Sequence, residues 1–278
     1  MHSGMDDFVT GRVNHTFTLD SLGACQGLSH QKGSFYLYGD REVGVVRRYR
    51  MVNNQLVYEY QEYRFTVNRQ NKIKHPTGIA YHEGLPTFVG NSVKQNPEGT
   101  SWKAFIYAIN WEGFLQSGTL DGNLLQEIED DACIQGSRPE YVQYQGKWYV
   151  ATADYGDKGN EVRLYDPQQL IKTSKTSDSG LLVKKFSCSP WVQNLHWIAE
   201  KNILILIQNQ AEGKKWRLTF LDLAKSIEKG KEEVMGVVET DKPDELEGFT
   251  FTDDLTKGIA VSSSRKNNVS MMDFKWNP

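Results

Sequence analysis

The 278-residue chain is poor in cysteine, in net charge and in long apolar runs. The three cysteines, Cys25, Cys133 and Cys188, are odd in number and unrelated in spacing. They make no Cys-x-x-Cys metal pair, and a chain of this length needs no disulfide framework, so they read as small buried hydrophobes. No apolar run reaches the roughly 20 residues of a transmembrane helix, which argues against a membrane partner. Residues 1–8 lack the apolar core of a signal peptide. Two compartments stay open: the cytosol, or an exterior reached after removal of an export signal. The 32 basic and 35 acidic residues nearly cancel, to a net charge of -3. No long basic run exists, and Val45-Val46-Arg47-Arg48-Tyr49-Arg50 alternates like a half-exposed strand, which argues against a nucleic-acid partner. Asn14-His15-Thr16 and Asn268-Val269-Ser270 match the glycosylation acceptor pattern but lie in strand-like sequence. Helix is scarce too, with short candidates only at 168–173 and 223–229, both in outer connections.

What the chain does have is β-forming sequence: 38% hydrophobic and 12% aromatic, with 13 Tyr, 12 Phe and 7 Trp. It also has an internal repeat. A polar residue, a short alternating strand, a tight turn and a more apolar strand recur five times. The polar starts are Gln26, Thr77, Glu140, Gln193 and Glu247, spaced 51, 63, 53 and 54 residues apart. The intervening turns, such as Gln145-Gly146-Lys147 and Glu200-Lys201-Asn202, carry hairpin chemistry. Third strands follow at 105–109, 162–165, 217–221 and 269–272, and fourth strands at 56–60, 182–186 and 234–238. The spacing suits a four-stranded blade, a little longer than the roughly 40–50 residues of common propeller repeats.

The expected fold is therefore all-β, a single-domain five-bladed β-propeller. The blades fall at 24–68, 75–131, 138–188, 191–240 and 245–278, and the strand at 15–19 supplies the missing outer strand of the last blade. Such closure hides sheet edges that otherwise invite aggregation. A six-bladed ring with a degenerate blade in the long second unit is the competing architecture, but residues 113–131 are too few for a full blade.

Propeller topology places first-strand starts and second-strand ends on one face of the ring. The ends are Asp40, Asn91, Asp154, Asn209 and Ser263, so all ten positions are polar. Strand starts and channel mouths are polar in many sheet proteins, yet converging polar groups at a pocket also define a default binding site. The loops following 91, 154 and 208 add Pro-Glu-Gly-Thr-Ser-Trp, acidic-glycine and amide-rich sequence to this face. Glu140 and Glu247 are the only carboxylates among the starts and should face each other across the channel. Two opposed carboxylates are the machinery of glycoside hydrolysis. Glu140 could instead pair with Arg138, and Arg138 could orient an anionic substrate. Oxygen and amide donors without His or Cys suit a hard cation such as Ca²⁺ rather than zinc. The candidate catalytic residues are Glu140, Glu247 and Asp154, and the candidate ligand-binding residues are Gln26, Asp40, Thr77, Asn91, Arg138, Gln193 and Asn209.

Some strand openings resemble known families. Arg138-Pro139-Glu140-Tyr141-Val142-Gln143-Tyr144-Gln145-Gly146-Lys147-Trp148-Tyr149 resembles the blade openings of five-bladed glycoside hydrolases. Those enzymes place an essential Asp at the start of blade one, where Gln26 stands here. His75-Pro76-Thr77-Gly78-Ile79-Ala80 and Glu245-Leu246-Glu247-Gly248-Phe249 are similar to blade starts of calcium-dependent lactonase and gluconolactonase-like propellers. That resemblance implies Glu247 and Asn194 as calcium ligands, with Thr77 and Gln193 as weaker matches. The functional expectation is a small-molecule hydrolase at the channel mouth, acting on a sugar or lactone with a bound divalent cation. The alternatives are a non-catalytic propeller binding a carbohydrate or protein partner on the same face, and a scaffold using the outer strands.

Overall fold

The computed structural model describes residues 8–133, 135–209 and 215–278. Residues 1–7 and most of the expected amide-rich loop, 210–213, lie outside the described residues. Five four-stranded antiparallel sheets form the blades of a ring. Blade one runs β2 (Ala24–Gln31), β3 (Ser34–Asp40), β4 (Gly44–Val52), β5 (Gln55–Arg64), followed by a small hairpin of β6 (Thr66–Val67) and β7 (Gln70–Asn71). Blade two is β8 (Pro76–Ala80), β9 (Thr87–Lys94), β10 (Trp102–Ile109) and β11 (Leu124–Glu129). Blade three is β12 (Glu140–Tyr144), β13 (Lys147–Thr152), β14 (Glu161–Tyr165) and β15 (Leu182–Ser187). Blade four is β16 (Val192–Ile198), β17 (Ile203–Asn209), β18 (Lys215–Asp222) and β19 (Val234–Asp241). Blade five takes β20 (Leu246–Phe251), β21 (Lys257–Ser262) and β22 (Val269–Trp276), and its outer strand is β1 (Val9–Phe17).

The first and last strands thus close the ring, paired from Val9↔Trp276 to Phe17↔Val269 with one register shift between Val13 and His15. The closing strand begins earlier than 15–19, and Leu19 already lies beyond it, its N–H donating to Asn268 Oδ1 at 2.8 Å.

Strand sequence explains the packing. In β17 every residue from Ile203 to Gln208 is buried, because a central blade strand has a neighbouring blade on each face. Ile203, Ile205 and Ile207 pack toward blade five, while Leu204 and Leu206 pack toward blade three. Five apolar clusters arise in this way, one between each pair of adjacent blades. Each buried Ile or Leu contributes about 1.5–3 kcal/mol, so the ring is held mainly by these seams.

The length of the second unit is taken up by α1 (Trp111–Ser117), not by a sixth blade. Asn110 caps it by accepting from Gly113 N, and Gly118 ends it at φ 79°. Its Trp111 and Phe114 are buried in the seam between blades one and two. The two other helices, α2 (Pro167–Leu170) and α3 (Leu223–Lys229), occupy the outer connections expected of them. The fourth strand of blade two, β11, is largely solvent-facing and its sequence carries little apolar alternation.

Candidate functional site

The inner strands bulge as they enter the channel. Register shifts occur between Cys25 and Gly27, Pro76 and Gly78, Val192 and Asn194, and Leu246 and Gly248. A bulge leaves one residue out of the ladder and re-aims its side chain. The residues so displaced are Gln26, Thr77, Gln193 and Glu247. Blade three has no such shift: Glu140 pairs with Ala151 and the ladder continues regularly. One rung outward, Arg138 N donates to Ala153 O at 3.2 Å, the position held by His75, Trp191 and Glu245 in blades two, four and five. Only Pro139 separates Arg138 from Glu140, whereas two residues separate the matching positions elsewhere. Blade three therefore lacks the bulge residue. Glu140 falls in register with Gly27, Gly78, Asn194 and Gly248, one step deeper than the polar starts suggest.

That step divides the channel. At the Gly27 level the inner strands touch: a Cβ on Gly248 would stand 2.7 Å from Gly27 Cα, and one on Gly27 only 2.2 Å from Tyr38 Oη. Asn194 Nδ2 donates to Tyr38 Oη at 2.9 Å and to the Glu247 carbonyl at 3.1 Å, and its Oδ1 accepts from Leu195 N at 3.0 Å. Tyr38 and Asn194 are both buried. Glycines and this polar knot form a plug, with a chamber on either side.

The upper chamber, about 630 Å³, opens on the face expected to carry function. Gln26, Asp40, Gln193, Glu247 and Ser263 line it together with Arg138, His75, Tyr155, Trp102 and Glu245. Arg138 is only 5% exposed. Its Nη2 donates to Gln193 Oε1 at 3.3 Å, and its Nε and Nη1 have no partner among the described residues. Burial pulls its pKa below the ordinary value, while the charges of Asp154 and Glu247 oppose this. A guanidinium stays protonated under any such shift, so the chamber holds a cation short of hydrogen bonds.

Glu247 is the counterpart. Burial, then the neighbouring Glu245 carboxylate, raise its pKa well above the usual range, and a hydrogen bond between the two carboxyls works the same way. Arg138 opposes the shift without cancelling it. Glu247 therefore keeps its proton to a higher pH than an ordinary carboxyl, as burial beside a like charge requires. Beside them His75 Nδ1 donates to Asp40 Oδ2 at 2.8 Å.

The other expected site residues serve the scaffold. Thr77 donates to the Ser137 carbonyl. Asn91 accepts from His75 N at 3.2 Å and donates to Tyr107 Oη at 3.5 Å. Asn209 grips Leu246, accepting from its N at 2.8 Å and donating to its O at 3.2 Å. Asp154 accepts from Gln135 N at 3.1 Å and acts on Arg138 by charge. Glu245 and Tyr155 carried no expectation from their own sequence positions. The signal for Glu245 was its place two residues before Glu247, which a bulge turns to the same side.

Glu140 lies below the plug, lining the second chamber of about 200 Å³. It does not meet Glu247 in one cavity, so the expected opposition of these two carboxylates is corrected: the carboxyl facing Glu247 is Glu245. Hydrogen-bonded carboxyls are also closer than the roughly 5–9.5 Å that glycoside hydrolysis uses. For calcium, Glu247 is bonded to Glu245 and the Asn194 amide is spent on the plug. Among the described residues no three His, Cys, Asp or Glu side chains are grouped to hold a metal. These donors do not fit a calcium ion, and no step below is routed through one.

No protein-family model matches the chain, and no curated protein does. Similarity to solved structures is broad in coverage and low in identity. A glutaminyl cyclase from Myxococcus xanthus shares 12% of residues, with 97% of this chain and 98% of that chain covered, at a TM-score of 0.56. The structure of U3-55K shares 5%, covering 97% and 99%, at a TM-score of 0.47. At such identities the likeness to the cyclase concerns the ring alone, and the likenesses to hydrolase families stand on the strand openings alone.

Proposed function

We propose that the upper chamber is the active site of a small-molecule hydrolase that opens a lactone or a comparable activated carbonyl. Glu245 takes a proton from water, whose oxygen attacks the carbonyl carbon. Arg138 stabilises the resulting oxyanion through its unpartnered N–H groups, and Glu247 donates its proton to the departing alkoxide, giving the hydroxy acid. Preorganised donors of this kind are usually the largest single contribution to acyl-transfer catalysis, and an acid–base pair adds its own factor. The observation that carries this reading is the buried Arg138, short of partners in the chamber that Glu245 and Glu247 also line.

The fold is shared with a cyclase, but nothing of its chemistry is carried over at 12% identity. Dihydrocoumarin and δ-valerolactone are suitable probes. Wild-type protein is expected to hydrolyse at least one of them above the buffer rate. Glu247→Gln and Arg138→Met should each lower kcat/KM by about 10²-fold or more, in line with loss of a proton donor or an oxyanion donor. Rates equal in wild type and both variants would overturn the reading and favour non-catalytic binding on this face.

A further inference from the structure

The lower chamber is separate from the proposed active site and has a different chemistry. His30 and His196 both line it. Burial lowers the pKa of each, that of His196 to about 3 with the His30 charge adding to the effect. His196 Nε2 accepts from Phe251 N at 3.3 Å, which fixes the proton on Nδ1. Glu140 Oε1 accepts from Tyr141 N at 2.8 Å, and burial pushes its pKa up to about 8 against the lowering effect of the Tyr141 and Trp197 backbone N–H groups. Burial thus works against the charged form of all three groups, leaving a polar chamber that disfavours charge. Two of its donors are unused: the acid proton of Glu140, and the indole N–H of Trp197, which is buried without a partner among the described residues. Aromatic side chains supply much of the remaining wall.

An ionic ligand would lose its hydration there without gaining a counter-charge. A flat heteroaromatic base would need two parallel ring faces, yet His82 already sits against Trp148 at 4.1 Å. A ring bearing many hydroxyls answers both conditions: its oxygens meet single neutral donors, and its weakly positive C–H faces lie against the negative faces of aromatic rings. The volume, about 200 Å³, is below that of drug-sized sites and admits one such ring.

We propose that the lower chamber, built around Glu140, Trp197, His196 and His30, is a second binding site, taking a neutral monosaccharide unit on the face opposite the catalytic chamber.

Saturation-transfer NMR with glucose, galactose, mannose, N-acetylglucosamine, xylose and adenine tests this. At least one of the sugars is expected to receive saturation and to titrate the tryptophan fluorescence to a plateau. Trp197→Phe, which keeps a ring but removes the N–H, should weaken that sugar at least 10-fold. Glu140→Gln keeps the shape and a donor and should stay within about 3-fold, whereas Glu140→Ala should lose binding. Arg138→Met, which removes hydrolysis, should leave sugar affinity unchanged. Saturation of adenine but of no sugar, or sugar binding that survives Trp197→Phe and falls in Arg138→Met, would overturn the proposal. The two chambers thus fail or stand separately.

Discussion

Raising the pH from 5 to 8 is expected to destabilise the wild-type fold by on the order of 2–4 kcal/mol through Glu140 alone, and Glu140→Gln is expected to remove that share of the loss. In the folded protein Glu140 titrates at about 8 because it is buried, whereas in the unfolded chain it titrates near 4.3. A folded-state pKa raised in this way favours the native state fully below the unfolded value. Between the two values the native state binds more protons, so stability falls as pH rises, by 1.36 kcal/mol per unit for one group, and levels off above about 8. Glu247, also raised, adds to the same slope. Urea unfolding at pH 5 and pH 8 checks this: the Gln variant should be close to wild type at pH 5 and clearly more stable at pH 8. Parallel losses in both proteins would show that Glu140 ionises as freely in the fold as in the unfolded chain.

A comparably large effect is expected at Gly248. A Cβ there stands 2.7 Å from Gly27 Cα and 3.1 Å from Leu28 Cδ2. The first obstacle is backbone of the facing inner strand and cannot rotate away, so β20 and β2 must part. Overpacking costs about 1–3 kcal/mol where side chains can yield, and here the loss should be at the upper end or beyond. The plug would open as well, because the Glu247 carbonyl that receives Asn194 Nδ2 belongs to the displaced strand. Gly156→Ala is the matched control: its Cβ meets nothing nearer than Asn160 Nδ2 at 3.9 Å. Thermal unfolding of the two variants should separate by many degrees. Equal melting temperatures would mean that the inner strands are not in contact at the glycine level.

The architecture was legible because strand pairs advertise themselves locally. Runs such as Ile203 to Ile207 and turns such as Gln145-Gly146-Lys147 repeat at blade spacing, and the odd strand near the N-terminus had only one edge to fill. The α1 segment escaped because it is only about two capped turns with Gly113 inside, signalled only by Asn110 and Gly118. β11 escaped because an outer strand needs few apolar residues. At the site, Gln26, Gln193 and Glu247 were found because the bulged position is polar in every blade that has it, and Arg138 because it stands two residues before Glu140. Glu140 was misplaced by one rung because a missing bulge leaves no mark in the sequence: Arg138-Pro139-Glu140 looks like any other strand entry until its pairing is known. The plug was invisible for the same reason, since Tyr38 and Asn194 are 156 residues apart.

The division of the channel makes the carboxyl pair of the upper chamber the heart of the chemistry, and the pH dependence of lactone hydrolysis tests it most directly. With Glu247 as the acid, kcat/KM should fall on the alkaline side as that group loses its proton. Replacing Glu245 by Gln removes the negative charge that raises it. The residual activity of Glu245→Gln should therefore be lower than wild type and its alkaline limb should move to lower pH by about one unit or more. An alkaline limb at the same pH in both proteins, or its persistence in Glu247→Gln, would contradict a proton shared between these two side chains.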